Sequence, residues 1–417
     1  MTVWPYALLG LPLTMAALPI YVLAPDYFGR ELGLDIAGVG VVLFAGRLFD
    51  AALDPWLGGR MERLRERGLH KQGMAVAAAV LALAFCALWQ PPLRLGGSGM
   101  LAWLAGCLFL TCVAHSTVYL AYLSWGSRIS PLPAVQLRAS AAREAAGVAG
   151  VLLASLLPTW LWRQLGPAPG MAAFGGLFVL GLALGLGALL GGAAPWQAAA
   201  TNAPLRWRVL WQSAALRPLL LPYFLNALAV AFPSTLALFY IADQLQAAGW
   251  AGAMLGIYFL GAVLGLPLWQ RLAQRMGVLQ AWRVGMLLAV ACFVSTVFLG
   301  AGDIGPYALI CLTAGMALGA DLCLPPVLVA QYTPAGLPLT AVYGVFQTLG
   351  KLALATSGLA LPLLAALGYQ PGRVGQSGQW ALLLSYALLP CLCKLAAWLT
   401  SAPLLANEAG TVKEVSA

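Results

Sequence analysis

Long apolar stretches alternate with short polar segments along nearly the whole chain. A bilayer core of about 30 Å requires about 20 helical residues, and windows of that length predict twelve membrane-spanning helices. The first six spans lie at 3–24, 36–59, 74–90, 99–123, 141–163 and 171–194. The last six lie at 218–242, 249–270, 283–301, 305–330, 338–368 and 378–402. The pattern predicts an all-α polytopic membrane protein.

A polar segment at 195–217 divides the spans into two sets of six. It carries three arginines and three tryptophans, which is typical of a segment that lies along the membrane surface. The predicted domains are therefore an amino-terminal six-helix bundle, a central loop, a carboxy-terminal six-helix bundle and a short tail. They cover 1–194, 195–217, 218–402 and 403–417, respectively.

Composition and charge agree with a membrane protein and orient it. Of the 417 residues, 62% are hydrophobic and 8% are charged. Most basic residues follow the even-numbered spans, and short cytoplasmic loops keep an excess of lysine and arginine. We therefore expect both termini in the cytoplasm and a bacterial-type inner membrane. The net charge of +9 is scattered along loop edges without an aromatic-interleaved patch, which argues against a nucleic-acid partner.

Two carboxylates, Asp50 and Asp54, lie one helical turn apart inside the second span. Residues at i and i+4 share one face of a helix, and carboxylates at membrane depth are costly unless they have a function. One interpretation pairs Asp50 with Arg47, one turn earlier, as a local ion pair with a gating role. Asp54 would then have to bind a cation or take up a proton. The pair therefore predicts ion-coupled transport.

Other ionisable residues within the spans allow two interpretations each. Arg143 and Glu144 open the fifth span, where both could lie at the membrane surface. Lys351 has apolar helix on both sides and is a candidate counter-charge for the two aspartates. Asp321 precedes two prolines, so it could line a hydrated path or make an ion pair or polar contact between helices. Lys394 is expected to be structural and to extend to the membrane surface.

The second span also carries a family resemblance. The string Gly46-Arg-Leu-Phe-Asp-Ala-Ala-Leu-Asp-Pro-Trp-Leu-Gly58 resembles the signature of the melibiose-permease-like glycoside-pentoside-hexuronide:cation symporters. The resemblance covers nearly the whole chain and includes Arg143, the segment Tyr223-Phe-Leu-Asn226 and Lys351. It implies a major facilitator fold of two six-helix bundles, with solute and ion bound near the bilayer midplane.

The resemblance also implies site residues. It assigns the coupling cation to Asp50 and Asp54, with Thr117 as a hydroxyl ligand. Sodium-binding members of the family have an amide just before the second aspartate, and this chain has Leu53 there. Because sodium prefers several oxygen ligands, the substitution favours a proton, although both ions stay open.

The same comparison bears on the solute. The sugar-binding carboxylates of the family fall near Thr14 and Leu120 here, which disfavours a galactoside because buried sugar hydroxyls need strong acceptors. Cationic, aromatic and amide side chains remain, and they suit an anionic or amphiphilic solute such as a sugar acid or a lysolipid headgroup. The predicted solute-binding residues are Arg143, Lys351, Tyr119, Tyr122, Trp125, Asn226 and Gln347.

Together these features predict a secondary active transporter, a symporter of a small polar, anionic or amphiphilic solute with H⁺ or Na⁺. The alternative is a lysolipid transporter or flippase on the same fold, with or without cation coupling. The sequence shows no nucleophile and base constellation, metal cluster or nucleotide loop, so we expect neither an enzyme nor a cofactor. Membrane lipids are the expected partners, and we expect the protein to act as a monomer.

Overall fold

The computed structural model describes most of the chain. The described residues are 3–24, 27–28, 32–34, 36–92, 94–196, 213–334, 336–358, 360, 364, 366–369 and 376–405. Within these ranges all regular secondary structure is helical. The predicted central loop at 195–217 and the tail at 403–417 lie largely outside the described residues.

Twelve principal helices occur in the described residues. The first six are α1 (Gly10–Val22), α2 (Ile36–Glu66), α3 (His70–Trp89), α4 (Gly97–Ser127), α5 (Pro133–Leu165) and α6 (Pro167–Gly192). The next five are α7 (Arg217–Phe239), α8 (Ala251–Met276), α9 (Val278–Ser295), α10 (Ile304–Tyr332) and α11 (Leu339–Gly358). The last, α12, consists of Gln376–Leu383, a π-helical turn at Leu384–Leu388 and Leu389–Thr400.

Most of these helices satisfy the requirements of a membrane span. Nine helices of the described residues are long and apolar enough to cross a membrane, and they match the third to tenth predicted spans and the twelfth. The second helix extends beyond its predicted end at residue 59 to Glu66. Glutamate and arginine are good helix formers, so the helix continues past the apolar stretch.

The chain divides into two compact units. The first unit contains Met1–Leu205 and Ala335–Thr348, and the second contains Arg206–Pro334 and Leu349–Ala417. The amino-terminal part of α11 is therefore grouped with α1 to α6, and the rest of α11 is grouped with α7 to α10 and α12.

Glycines allow α8 and α10 to approach each other closely within the second unit. A Cβ at Gly315 would lie 2.0 Å from the carbonyl oxygen of Tyr258, and a Cβ at Gly261 would lie 2.2 Å from that of Leu312. Small residues that let two backbones approach are typical of membrane helix interfaces. The Trp269 indole secures this pair of helices by donating a 2.6 Å hydrogen bond to a carbonyl oxygen of α10.

Candidate cation and solute site

Asp50 and Asp54 lie one turn apart on α2, in the first unit. Ser116 on α4 donates a hydrogen bond of 2.8 Å from its hydroxyl to Oδ1 of Asp50. Asp54 is buried, with 1% of its surface exposed. A buried carboxylate is stabilised by a cation or by a proton, and carboxylate and hydroxyl oxygens are ligands for hard cations. This pair is the candidate cation site.

The backbone around the two aspartates is held closely from both sides. A Cβ at Gly46 would lie 2.6 Å from a leucine side chain of α4. A Cβ at Gly344 on α11 would lie 2.6 Å from the carbonyl oxygen of Asp54. The Thr348 hydroxyl donates a 2.7 Å hydrogen bond to the carbonyl oxygen of Ala51. The position of this turn of α2 is therefore fixed by its neighbours.

The hydroxyl beside Asp50 belongs to Ser116, whereas the sequence predicted Thr117 as a ligand. The Thr117 hydroxyl donates a 2.7 Å hydrogen bond to the carbonyl oxygen of Val113 in its own helix. Consecutive helical residues point about 100° apart, so only the rotation of α4 decides which hydroxyl meets α2. The role of Thr117 stays a prediction. The Arg47 side chain lies outside the described part of the structure, so its pairing with Asp50 stays a prediction too.

A second polar cluster of this unit is built on α5. Arg143 is buried, and its guanidinium donates hydrogen bonds of 2.6 Å and 3.0 Å to Oε1 of Glu144. It also donates a 3.2 Å bond to the Ser140 hydroxyl. The interpretation in which arginine extends to the membrane surface is therefore wrong, because Glu144 compensates its charge inside the bundle.

Tyrosines enclose one side of this ion pair. The Tyr6 hydroxyl lies beside Arg143 and donates a 3.2 Å hydrogen bond to the carbonyl oxygen of Tyr122. The ring centroids of Tyr6 and Tyr122 lie 4.5 Å apart. The Tyr122 hydroxyl donates a 2.8 Å bond to the carbonyl oxygen of Tyr6. A Cβ at Gly10 would lie 2.7 Å from the carbonyl oxygen of Arg143, so glycine lets α1 approach α5 here. Tyr122 thus helps to hold the cluster together.

Tyr119 continues the aromatic surface one turn earlier on α4. Its hydroxyl lies beside the side chain of Gln347 on α11, and its ring stacks on His115 with centroids 5.8 Å apart. His115 Nε2 lies 2.8 Å from the carbonyl oxygen of Leu13. The cluster combines charged donors, a carboxylate acceptor, an amide and flat rings, and such groups bind polar solutes with an apolar face.

Trp125 belongs to a different cluster, at the carboxyl end of α4. Its indole donates a 2.8 Å hydrogen bond to the carbonyl oxygen of Ala194. Its ring lies 5.6 Å from that of His70 and 5.8 Å from that of Trp196. The structure thus brings Arg143, Tyr119, Tyr122 and Gln347 together, whereas solute contact by Trp125 stays a prediction.

Glu62 on α2 organises a polar network that the sequence did not single out. Its Oε1 accepts 2.9 Å hydrogen bonds from Arg65 and from Arg128, and its Oε2 accepts one of 2.6 Å from the Thr340 hydroxyl. The Thr340 hydroxyl also lies 2.8 Å from that of Ser124. In the sequence, Glu62 and Arg65 belong to a basic segment. Only their burial distinguishes them from the exposed arginines beside them.

Glu62 follows the predicted span at 36–59 and keeps its negative charge. Burial alone would raise its pKa, but the charges of Arg128 and Arg65 and the hydrogen bond from Thr340 leave the pKa below its ordinary value. A carboxylate with a lowered pKa stabilises the fold near neutral pH, and this contribution is lost as the pH falls through the lowered pKa.

Replacement of Thr340 tests this network. We expect Thr340→Val to cost roughly 1–3 kcal/mol, because it leaves one oxygen of a buried carboxylate without its donor. Thr340→Ser keeps the hydroxyl and is the matched control. The measurement is the melting temperature of the purified protein, which should fall for the valine variant and stay near the parent value for serine. Equal melting temperatures for valine and serine would show that the bond contributes nothing.

The second unit contains a buried ion pair of its own, between α10 and α12. Lys394 Nζ donates to Oδ2 of Asp321 and, at 2.6 Å, to Oδ1 of Asn226 on α7. The Trp282 indole on α9 donates a 3.1 Å bond to the other oxygen of Asp321. Asp321 therefore makes the ion pair that one interpretation of the sequence allowed.

Lys394 corrects an expectation from the sequence. It was expected to extend to the membrane surface, but only 2% of it is exposed. Sequence position alone could not reveal this, since its partner lies 73 residues away in the chain. Asn226, predicted to bind solute, is hydrogen-bonded to Lys394, so any contact with solute stays a prediction.

Lys351 belongs to the part of α11 that is grouped with the second unit. It is half-buried. A Cβ at the preceding residue, Gly350, would lie 3.9 Å from the hydroxyl of Tyr223 on α7. The predicted role of Lys351 as a counter-charge for Asp50 and Asp54 joins residues of different units and stays a prediction.

Comparison with known proteins shows the family of the chain. The MFS/sugar transport protein family matches residues 5–402. The chain therefore belongs to this family of the major facilitator superfamily, and it is a multi-span membrane transporter. No curated protein sequence is significantly similar to it.

Solved structures with a similar fold come from several transporters. A bacterial homologue of the iron transporter ferroportin, in an outward-facing state, has a TM-score of 0.73 and 14% identity, covering 96% of this chain and 100% of its own. The E. coli fucose:proton symporter has a TM-score of 0.69 and 15% identity, covering 95% and 97%. The human organic anion transporter TETRAN has a TM-score of 0.68 and 17% identity, covering 95% and 98%. At these identities the likeness confirms the predicted twelve-helix major facilitator fold.

Proposed function

We propose that the protein is a cation-coupled symporter, as the resemblance to the glycoside-pentoside-hexuronide:cation symporters implies, and that Asp50 and Asp54 bind the coupling ion. The observation that carries this proposal is the burial of Asp54 one turn from Asp50. Asp50 accepts a hydrogen bond from the Ser116 hydroxyl. Ionisable groups at membrane depth mark ion pathways in transporters. The protein acts as a monomer in a bacterial-type inner membrane with both termini in the cytoplasm.

The coupling ion in this proposal is the proton, with sodium as the second candidate. Leu53 offers no oxygen next to Asp54, and sodium needs several oxygen ligands. A proton needs only one carboxylate whose charged and neutral forms are both accessible. A fucose:proton symporter has a similar fold, and this fold is compatible with coupling to a proton or to sodium.

The solute of this proposal binds at the cluster of Arg143, Glu144, Tyr119 and Gln347. Because Glu144 compensates the charge of Arg143, the cluster offers donors and an acceptor together. This balance favours a small polar solute that carries both kinds of group, including sugar acids and headgroups of lysolipids. Alternating access would expose this cluster to each side of the membrane in turn.

A binding screen across several classes of solute tests the proposal. The purified protein is heated with sugars, sugar acids and lysolipids, with and without sodium, at two pH values. A ligand that binds the folded state raises the melting temperature. We expect a hydrophilic solute to raise it, and we expect acid or sodium to enlarge that increase.

Two outcomes would contradict the proposal. Stabilisation by a solute that is unchanged by both pH and sodium would argue against coupling. Stabilisation by lysolipids alone, without dependence on either ion, would support the alternative of an uncoupled lysolipid transporter or flippase.

A further inference from the structure

One exposed face of α2 carries apolar side chains along the helix and basic side chains at its carboxyl end. Phe49 and Trp56 are 59% and 55% exposed, and Arg60 and Arg63 follow them as exposed residues. Exposed Arg67 is the first residue after α2, and its N–H still donates a 3.2 Å hydrogen bond to the carbonyl oxygen of Arg63. With exposed Ala52 included, the successive spacings are three or four residues, which places these side chains on one face of a helix. We call this set of residues the α2 stripe.

The stripe is separate from the buried network at the same end of α2. Glu62 and Arg65 point into the unit and are 2% and 8% exposed, whereas the arginines of the stripe point outward. The guanidinium of Arg60 lies over the ring of Trp56, 5.6 Å from its centroid. Glu66 is also exposed at the helix end, and the three arginines outweigh its charge.

The stripe has a counterpart on α8. Leu260, Leu264 and Leu268 are 53%, 55% and 44% exposed, and Arg271 and Arg275 continue the spacing as exposed residues. An exposed apolar face that ends in two or more arginines therefore occurs on a helix of each unit. Repetition of the order on two helices indicates a common environment for both faces.

We propose that the α2 stripe binds an anionic phospholipid. Exposed apolar side chains on a membrane-spanning helix contact acyl chains, and tryptophan prefers the level of the headgroups. The guanidinium groups then lie where the lipid phosphate lies, and arginine binds phosphate through paired hydrogen bonds. The face on α8 has fewer arginines and is the weaker of the two sites.

The continuity of the stripe identifies the ligand as a lipid rather than a free phosphate ion. A free ion would use only the arginines and would gain nothing from Phe49 and Trp56. A zwitterionic lipid would supply the acyl chains without net charge. Binding that needs both chain and charge is the property of an anionic phospholipid.

Native mass spectrometry of the purified full-length protein tests the proposal. Phosphatidylglycerol is titrated, and the tighter binding step is compared between the parent and R60Q/R63Q/R67Q. A basic residue near an anionic surface is worth about fivefold in affinity, so we expect the triple variant to bind about 100-fold more weakly. The control R94Q/R138Q/R217Q removes the same charge from exposed arginines elsewhere and should keep the parent affinity.

Two further ligands, a zwitterionic lipid and a soluble phosphate, complete the test. Phosphatidylcholine with the same chains should bind far more weakly than phosphatidylglycerol, and excess glycerol phosphate should not displace the lipid. The proposal is overturned if the triple variant binds phosphatidylglycerol as tightly as the parent, or if the control loses as much affinity. Displacement of the lipid by glycerol phosphate would also overturn it, because the site would then recognise the phosphate alone.

Discussion

Asp54→Asn is expected to abolish concentrative uptake in reconstituted vesicles while exchange of solute across the membrane continues. An ion gradient of about tenfold stores about 1.4 kcal/mol per monovalent cation, which supports about tenfold accumulation of solute. The asparagine keeps the volume of the side chain but removes the charge that a cation or proton neutralises. The accumulation ratio of the solute found in the binding screen should therefore fall from about ten to about one.

Asp50→Asn is expected to act in the same direction, because Asp50 shares the face of α2 with Asp54. Asp303→Asn is the matched control, since Asp303 accepts its hydrogen bond from the backbone of Gly300 in the second unit. Accumulation by this control should equal that of the parent. Full accumulation by both Asp50→Asn and Asp54→Asn would show that the coupling ion binds elsewhere.

Ser116→Ala and Thr117→Ala separate the two hydroxyl groups on α4 in the same assay. We expect Ser116→Ala to lower the accumulation ratio, because it removes the 2.8 Å hydrogen bond to Asp50. Thr117→Ala removes a bond that stays within its own helix and should have a smaller effect. The opposite order would restore Thr117 as the hydroxyl ligand.

The second large effect is expected at the buried ion pair of α10 and α12. Asp321→Asn leaves the charge of Lys394 buried, and loss of one partner of a buried pair costs about 3–5 kcal/mol. Lys394→Met leaves the opposite charge buried and should cost a similar amount. Both single variants should therefore melt well below the parent.

The double variant Asp321→Asn/Lys394→Met removes both charges. Because no uncompensated charge remains, we expect it to melt above either single variant and to show a strong favourable interaction energy between the two positions. Melting temperatures and yields of all four proteins in one detergent provide the measurement. Additive losses in the double variant would mean that the two residues contribute independently and that the pair does not hold the unit together.

The helices were predictable because lipid imposes one simple requirement on the chain. Every backbone polar group in a bilayer must be satisfied within the protein, so apolar stretches of sufficient length become helices. The placement of Asp50 and Asp54 on one face follows from the same helical geometry. The predicted end of α2, at residue 59, was too early. The last turns of this helix lie beyond the apolar stretch, but their residues favour helix.

The polar contacts between helices were harder to predict, since they depend on the rotation of each helix about its axis. Thr117 and Ser116 are neighbours in sequence, and only the rotation of α4 distinguishes them. Lys394 looked like a surface residue because its helix position is near an end, yet it meets Asp321 inside the unit. Glu62 could not be separated from the surrounding arginines before its burial was known.

The central claim is that Asp50 and Asp54 bind the coupling cation, and direct measurement of ion binding to the purified protein tests it most closely. Proton uptake is followed on a pH step, and binding of radioactive sodium is followed at constant ionic strength, for the parent, Asp54→Asn and Asp303→Asn. The account predicts saturable binding of one of these ions by the parent and the Asp303 variant, and its loss in Asp54→Asn. Equal binding by all three proteins would contradict it.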